Sequence, residues 1–200
     1  MAALLLSALM AVIVPFVTSV FSPLVGYVGV LIIYWVCFCI PVAAIFGRGP
    51  KRISVGLRAT KPWIPVAALA LPVVVFFAAG PMRWIGSEPA ILALAVTCAL
   101  INGPLEELAW RRSFRANSDD SLPYEVLGLG LFTLWHVPLF FSNGVSFDHG
   151  AVGLIGGALL MGAVWTVMTR AGNSVGWPMV SHALVNTAAF LPFFAMNFAG

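Results

Sequence analysis

Residues 89–112 read PAILALAVTCALINGPLEELAWRR, and this stretch decides the fold. From position 89 to 108 the only charges are Glu106 and Glu107. A helix needs about 20 mainly apolar residues to cross a ~30 Å hydrocarbon core. The run is long enough for that, and a block of acids and bases closes it. Outward from it the same pattern repeats, and apolar runs are predicted as helices at about 1–21, 24–46, 63–79, 89–108, 124–141, 151–169 and 177–196.

Composition agrees. Of 200 residues, 61% are hydrophobic and 8% charged, with 10 Lys+Arg against 7 Asp+Glu. Soluble domains run to about a quarter charged, so this chain cannot clothe a water-facing surface. Disorder is excluded by the same numbers, and no clustered basic face suits nucleic acid. Cys37, Cys39 and Cys98 all fall inside apolar runs, without a disulfide framework or a CxxC pair. The expectation is an all-α, polytopic transmembrane helix bundle of about seven spans, forming a single domain over 1–200.

Short breaks separate the spans: Ser22-Pro23, Gly80-Pro81, Ser142-Asn143-Gly144 and Ala171-Gly172-Asn173, with a longer basic linker from Gly47 to Pro62 and a polar run from Arg112 to Pro123. The first run lacks a Lys/Arg segment before it and is long for a secretory signal, so it is expected to be an uncleaved helix. Pro15, Pro41, Pro72 and Pro104 mark expected kinks. Gly153 and Gly157 form a small-xxx-small step suited to close helix packing.

Orientation follows from the cations. Arg48, Lys51, Arg52, Arg58, Lys61, Arg111, Arg112, Arg115 and Arg170 fall on one side of a seven-helix alternation, and only Arg83 on the other. Cytoplasmic loops carry the excess of Lys and Arg. The amino terminus is therefore expected in the cytoplasm, in a multi-pass protein of the cell membrane.

Ionisable groups inside spans are costly and mark function by default. Successive helical residues turn by about 100°, so Glu106 and Glu107 face different ways. Glu107 shares a face with Arg111 and suits an i, i+4 ion pair, whereas Glu106 has no evident local partner. The fifth run carries Phe132 and His136 one turn apart, and the seventh carries His182 and Asn186 one turn apart. His149, beside Asp148, reads as a solvated loop residue. Carboxylate, imidazole and amide on three helices suit water activation and oxyanion stabilisation. Glu106, His136 and His182 also suit a zinc-like ion as ligands. Depth poses a condition. Glu106 and His182 are expected near the cytoplasmic ends of their spans, and His136 about 15 Å along its own. A tilted or late-entering fifth helix, or a water-filled cytoplasmic cavity, must reconcile them.

Glu106-Glu107-x-x-x-Arg111, then Phe132-x-x-x-His136, then His182-x-x-x-Asn186, in order on separate spans, resembles the CPBP family. These are the CAAX-protease and bacteriocin-processing proteins, also called Abi or type II CAAX prenyl endopeptidase-like, which include the Rce1-type endopeptidases. The resemblance covers roughly 89–196, taken as the catalytic core; the first three helices share only hydrophobicity with the family. It implies an intramembrane endopeptidase in which Glu106 is general base with His136 alongside. It further implies that His182 and Asn186 form an oxyanion hole and that Glu107 and Arg111 organise the site. The implied partners are the bilayer and a membrane-bound peptide or protein, prenylated CAAX-type ones included, with the site nearer the cytoplasmic side. Family members are labelled metalloproteases, yet the same residues have also been read as a metal-free site; HExxH is absent here. Cofactor use stays open between a divalent metal such as zinc and none. Two other functions stay open as well: a non-catalytic bacteriocin-immunity or scaffold protein, and an ion or proton transporter, although no internal repeat is evident.

Overall fold

The computed structural model describes residues 2–80, 83–118 and 121–198. Pro81, and the part of the polar run formed by Asp119 and Asp120, lie outside them. Seven helices account for the described chain: α1 (Ala2–Val20), α2 (Pro23–Phe46), α3 (Trp63–Ala78), α4 (Pro89–Ala116), α5 (Leu122–Leu139), α6 (Val152–Gly172) and α7 (Gly176–Phe198). Five of them, α1, α2, α4, α6 and α7, are long and apolar enough to cross a membrane. The helix α3 is shorter, and α5 is diluted by Tyr124, Glu125 and His136. The protein is a polytopic helical membrane bundle.

Its surface is inverted relative to a soluble domain. Val12, Val66, Val74 and Phe77 are exposed, whereas Glu106, Glu107, Arg111, Ser181 and His182 are buried. Lipid explains the outer layer, because tails are as apolar as these side chains. Helices α4 and α7 form the central pair, with α3 along α7, α1 on α2 and α5, and α6 on α5.

One boundary differs from the sequence expectation, with consequences for the site. The fourth helix does not close at Glu106-Glu107 but runs on to Ala116, so Arg111 and Arg112 lie inside it rather than in a loop. The continuation passes through a π-helical turn, Glu107–Arg112, three residues after Pro104. A second π-helical turn, Trp35–Cys39, precedes Pro41 in α2.

The small-xxx-small step also behaves differently. Nothing lies within 4 Å of where a Cβ on Gly157 would stand, so no helix packs closely there. The close seam is elsewhere: a Cβ on Gly103 would lie 2.6 Å from the backbone N of Ala183, joining α4 to α7.

The helix ends sort the loops into two sets. At one end the 47–62 linker is strapped to the α6–α7 turn, with Val175 N–H donating to Ser54 O at 2.9 Å and Thr60 Oγ1 to Ala171 O at 2.9 Å. Asn117 Nδ2 donates to Phe46 O at that same end. At the other end Arg83 pairs with Asp148, Asn143 holds Thr18, and Ser146 N–H donates to Asn197 Oδ1.

Candidate active site

The extension of α4 sets the depth of the site. Arg115 and Glu125 pair at 2.5 Å, which fixes the register of α5 against α4. Glu106 lies nine residues before Arg115 and His136 eleven after Glu125, or about 14 and 16 Å at 1.5 Å per residue. The depth condition is therefore met by the longer α4. A tilted or late-entering fifth helix is not needed.

Glu106 is 1% exposed and fully engaged. Its Oε2 accepts from Asn102 Nδ2 at 3.1 Å, and its Oε1 from Trp135 Nε1 at 3.0 Å. Asn102 is held in turn by Trp35, whose Nε1 donates to Oδ1 at 2.8 Å. The expectation that Glu106 lacks a local partner is thus corrected: Asn102 stands one turn before it on the same face. Buried charge is tolerated when hydrogen-bonded in this way.

Glu107 pairs with Arg111 as its spacing implies, Nη1 to Oε1 at 3.2 Å, with both side chains buried. That approach is close enough for an ion pair but lies outside hydrogen-bond geometry. The guanidinium sits over Phe132, Cζ 3.8 Å from the ring centroid, a cation–π contact strengthened by desolvation. Gly162 makes the space, since a Cβ there would sit 2.8 Å from Arg111 Nη2.

His182 bridges the two glutamates. Its Nδ1 is 2.8 Å from Glu107 Oε1 and its Nε2 is 3.3 Å from Glu106 Oε2. Trp165 stacks on the imidazole at 3.7 Å between centroids and fixes its plane. His136 turns its Nδ1 to the carbonyl of Phe132 at 2.9 Å. A carbonyl only accepts, so Nδ1 carries the proton and the neutral ring keeps its lone pair on Nε2. Asn186 is buried, and its Nδ2 has no hydrogen-bond partner.

Glu106, His136, His182 and Asn186 all line one cavity of about 580 Å³. Glu107 and Arg111 stand behind it. His149, expected as a solvated loop residue, is exposed and also stands at the cavity mouth beside Asp148.

The three candidate metal ligands fit an ion poorly. Among the described residues no group of three His, Cys, Asp or Glu side chains has metal-holding geometry. Both nitrogens of His182 face carboxylates, and Glu106 is occupied by Asn102 and Trp135.

The family model for type II CAAX prenyl endopeptidase Rce1-like proteins matches residues 88–188. The chain belongs to the Rce1-like family. The matched segment holds all seven motif residues, Phe132 included, and leaves out α1 to α3. No curated protein and no solved structure matches the chain. Membership brings the coarse assignment to a CAAX-type intramembrane protease family.

Sequence reasoning missed Asn102, Trp135, Trp35 and Gly162. For Asn102 a signal existed, an amide at i−4 from Glu106 in an otherwise apolar run. For Trp135, adjacent to His136, and for Trp35 and Gly162 on other helices, none did.

Proposed function

We propose that the protein is an intramembrane endopeptidase that hydrolyses a peptide bond in membrane-associated substrates, prenylated CAAX-type ones included. One observation supports this above the others: a carboxylate, two imidazoles and an unpartnered amide donor line a single cavity.

Glu106 serves as the general base. Water enters the cavity between Glu106 and His136, and the His136 Nε2 lone pair accepts one of its hydrogen bonds while Glu106 takes the proton during attack. Asn186 Nδ2, which has no partner in the resting site, donates to the developing oxyanion. His182 keeps Nδ1–H on Glu107. With Asn186 one turn on, His182 forms the oxyanion side of the site, its Nε2 3.3 Å from Glu106 Oε2. When the tetrahedral intermediate collapses, the C–N bond breaks and Glu106 passes the proton it took from water to the leaving amine. Arg111 balances Glu107, so His182 is held by a charge that does not move. No step of this scheme is routed through a metal. The reacting groups lie in a cell-membrane protein whose amino terminus is cytoplasmic, at a depth nearer the cytoplasmic end.

Purified protein in detergent, given a prenylated CAAX peptide and its unprenylated twin, tests this. Cleavage is expected, with a loss of at least a hundredfold in Glu106→Gln and in His136→Ala, consistent with removal of a general base. A chelator arm reads metal dependence directly. Full activity in Glu106→Gln removes the mechanism. Absence of cleavage of either peptide moves the weight to the immunity or scaffold reading.

A further inference from the structure

The cavity and the cations lie at opposite ends of the bundle. Besides the four reactive side chains, the cavity is lined by Arg83, Asp148, His149 and Val152. These belong to the α3–α4 loop, the α5–α6 loop and the start of α6, all at the end where Asn143 meets Thr18 and Ser146 meets Asn197. All four are exposed, so the cavity opens there.

The other end is closed to the cavity: a separate pocket of about 30 Å³ there, lined by Trp110, Arg111, Arg115 and Glu125 among others, shares no lining residue with it. Trp110, Trp165, Met168 and Arg111 are buried between Glu106 and the α4–α5 and α6–α7 turns. Trp110 is tied down by its Nε1 donating to Tyr34 Oη at 2.6 Å, and Trp165 by its Nε1 donating to Ser181 Oγ at 3.1 Å. Beyond them Ile53, Ala116 and Val175 pack together under the strapped 47–62 linker.

With Arg111 inside α4, the closed end carries Arg48, Lys51, Arg52, Arg58, Lys61, Arg112, Arg115 and Arg170, and the open end carries Arg83. An asymmetry of eight to one places the closed end in the cytoplasm. We infer that the cavity is entered from the non-cytoplasmic face, so that the substrate is a peptide presented on that side of the membrane. This rests on the endopeptidase reading for the word substrate, but not for the direction of entry.

Depth and access then separate. Glu106 is ten residues from Ala116 and seventeen from Pro89, about 15 and 26 Å along α4. The reacting groups sit nearer the cytoplasmic end, at the bottom of a cavity open to the other side. The mouth is bridged by the Arg83–Asp148 pair, and below it the wall is largely apolar, with Tyr27, Phe147 and Phe193 in contact. An apolar peptide segment fits that wall, and a strongly charged one does not.

Cysteine labelling tests the direction without using activity. In a Cys37→Ser background, which removes the exposed native thiol, cells expressing the full chain are treated with a membrane-impermeant maleimide. Val152→Cys is expected to label in intact cells, and Arg58→Cys only after permeabilisation. Asp148→Cys replaces Val152→Cys if that variant fails to accumulate. Ala189→Cys, deeper on the cavity wall, is expected to label from outside, and the labelled protein, once solubilised, to cleave peptide at least tenfold more slowly than the unlabelled variant. Labelling of Arg58→Cys in intact cells, or protection of Val152→Cys and Asp148→Cys, overturns the orientation. Protection of Ala189→Cys from outside overturns the entry route. If no peptide is cleaved by any form, the endopeptidase reading fails while the labelling pattern still decides the route.

Discussion

Helices α1 to α3 and helices α4 to α7 differ in what they supply to one site. The second set, most of which the family model matches, holds the ionisable groups at the cavity floor, Glu106, His136 and His182, and those behind it, Glu107 and Arg111. The first set contributes no charge to that floor, yet it is not mere packing. Trp35 fixes Asn102, and through it Glu106. Tyr34 stacks on Trp135 at 3.7 Å between centroids, and Trp135 holds the other carboxylate oxygen. The motif residues lie in the second half, and the direction in which Glu106 points is set partly by the half without them. Such supporting partners commonly decide whether a site is rigid enough to act.

The largest effect is expected from the charged centre of the second half. Arg111→Ala leaves Glu107 buried without its counter-charge, and removal of one partner of a buried pair costs about 3–5 kcal/mol. Thermal unfolding in detergent should show a large fall, and cleavage should drop with it. Arg111→Lys should restore little, because a compact, strongly hydrated ammonium replaces the planar, delocalised guanidinium between Phe132 and Trp165. Unchanged melting in Arg111→Ala would mean the second half is less dependent on its ion pair than the geometry indicates.

Gly103→Ala comes next and tests the seam within the same half. The new methyl would stand 2.6 Å from Ala183 N and 2.9 Å from Ala183 Cα. Backbone cannot step aside as a flexible side chain can, so α4 and α7 must part. Overpacking of this kind costs about 1–3 kcal/mol. The neighbour of Ala183 is His182, so activity should fall more than stability alone explains. A variant that melts normally and cleaves normally would break the link between the seam and the site.

These positions also show what was legible in the sequence. Seven helices, the inverted distribution of polarity, the Glu107–Arg111 pair and the segment matched to the family were readable from hydropathy and from i, i+4 spacing. The end of α4 was not. Four charges in the seven residues from Glu106 to Arg112 look like a headgroup boundary, and only the tertiary partners of Glu106 and Glu107 show that the helix continues through them. Gly153 and Gly157 carry the right spacing for a seam but face the cavity side of α6, whereas Gly103 carries no such pattern and makes the contact. Spacing records which residues share a face, and it does not record which face meets another helix. The bond from Trp35 crosses 67 positions in the chain, beyond any local pattern.

Trp35→Phe is therefore the sharper test of the comparison. A six-membered aromatic ring is kept, while the pyrrole part of the indole and its N–H are lost, so Asn102 Oδ1 is left buried without its donor beside a small void. The expected loss is about 1 kcal/mol of stability. In function, kcat should fall several-fold, because Glu106 is less well aimed, while KM changes little. A matching fall in Asn102→Ala, with no further loss in the double variant, would identify one relay acting across the two halves. Independent, additive losses would show that the first half only fills space.

The smallest effect belongs to an exposed tie between the halves, Arg83 with Asp148. Unlike Trp35 and Asn102, both side chains are substantially exposed, at 51% and 39%. Exposed pairs contribute about 0–1 kcal/mol, because water and salt screen the charges and two side chains must be ordered to meet. Arg83→Ala should shift the melting temperature slightly at low ionic strength and not at all in about 0.5 M salt, where the Debye length is only a few ångström. A larger, salt-independent loss would mean that the pair joins the two halves as firmly as the buried relay does. A small one leaves the halves connected below the mouth, through Trp35 and Tyr34, with the loops above free to part when a peptide enters.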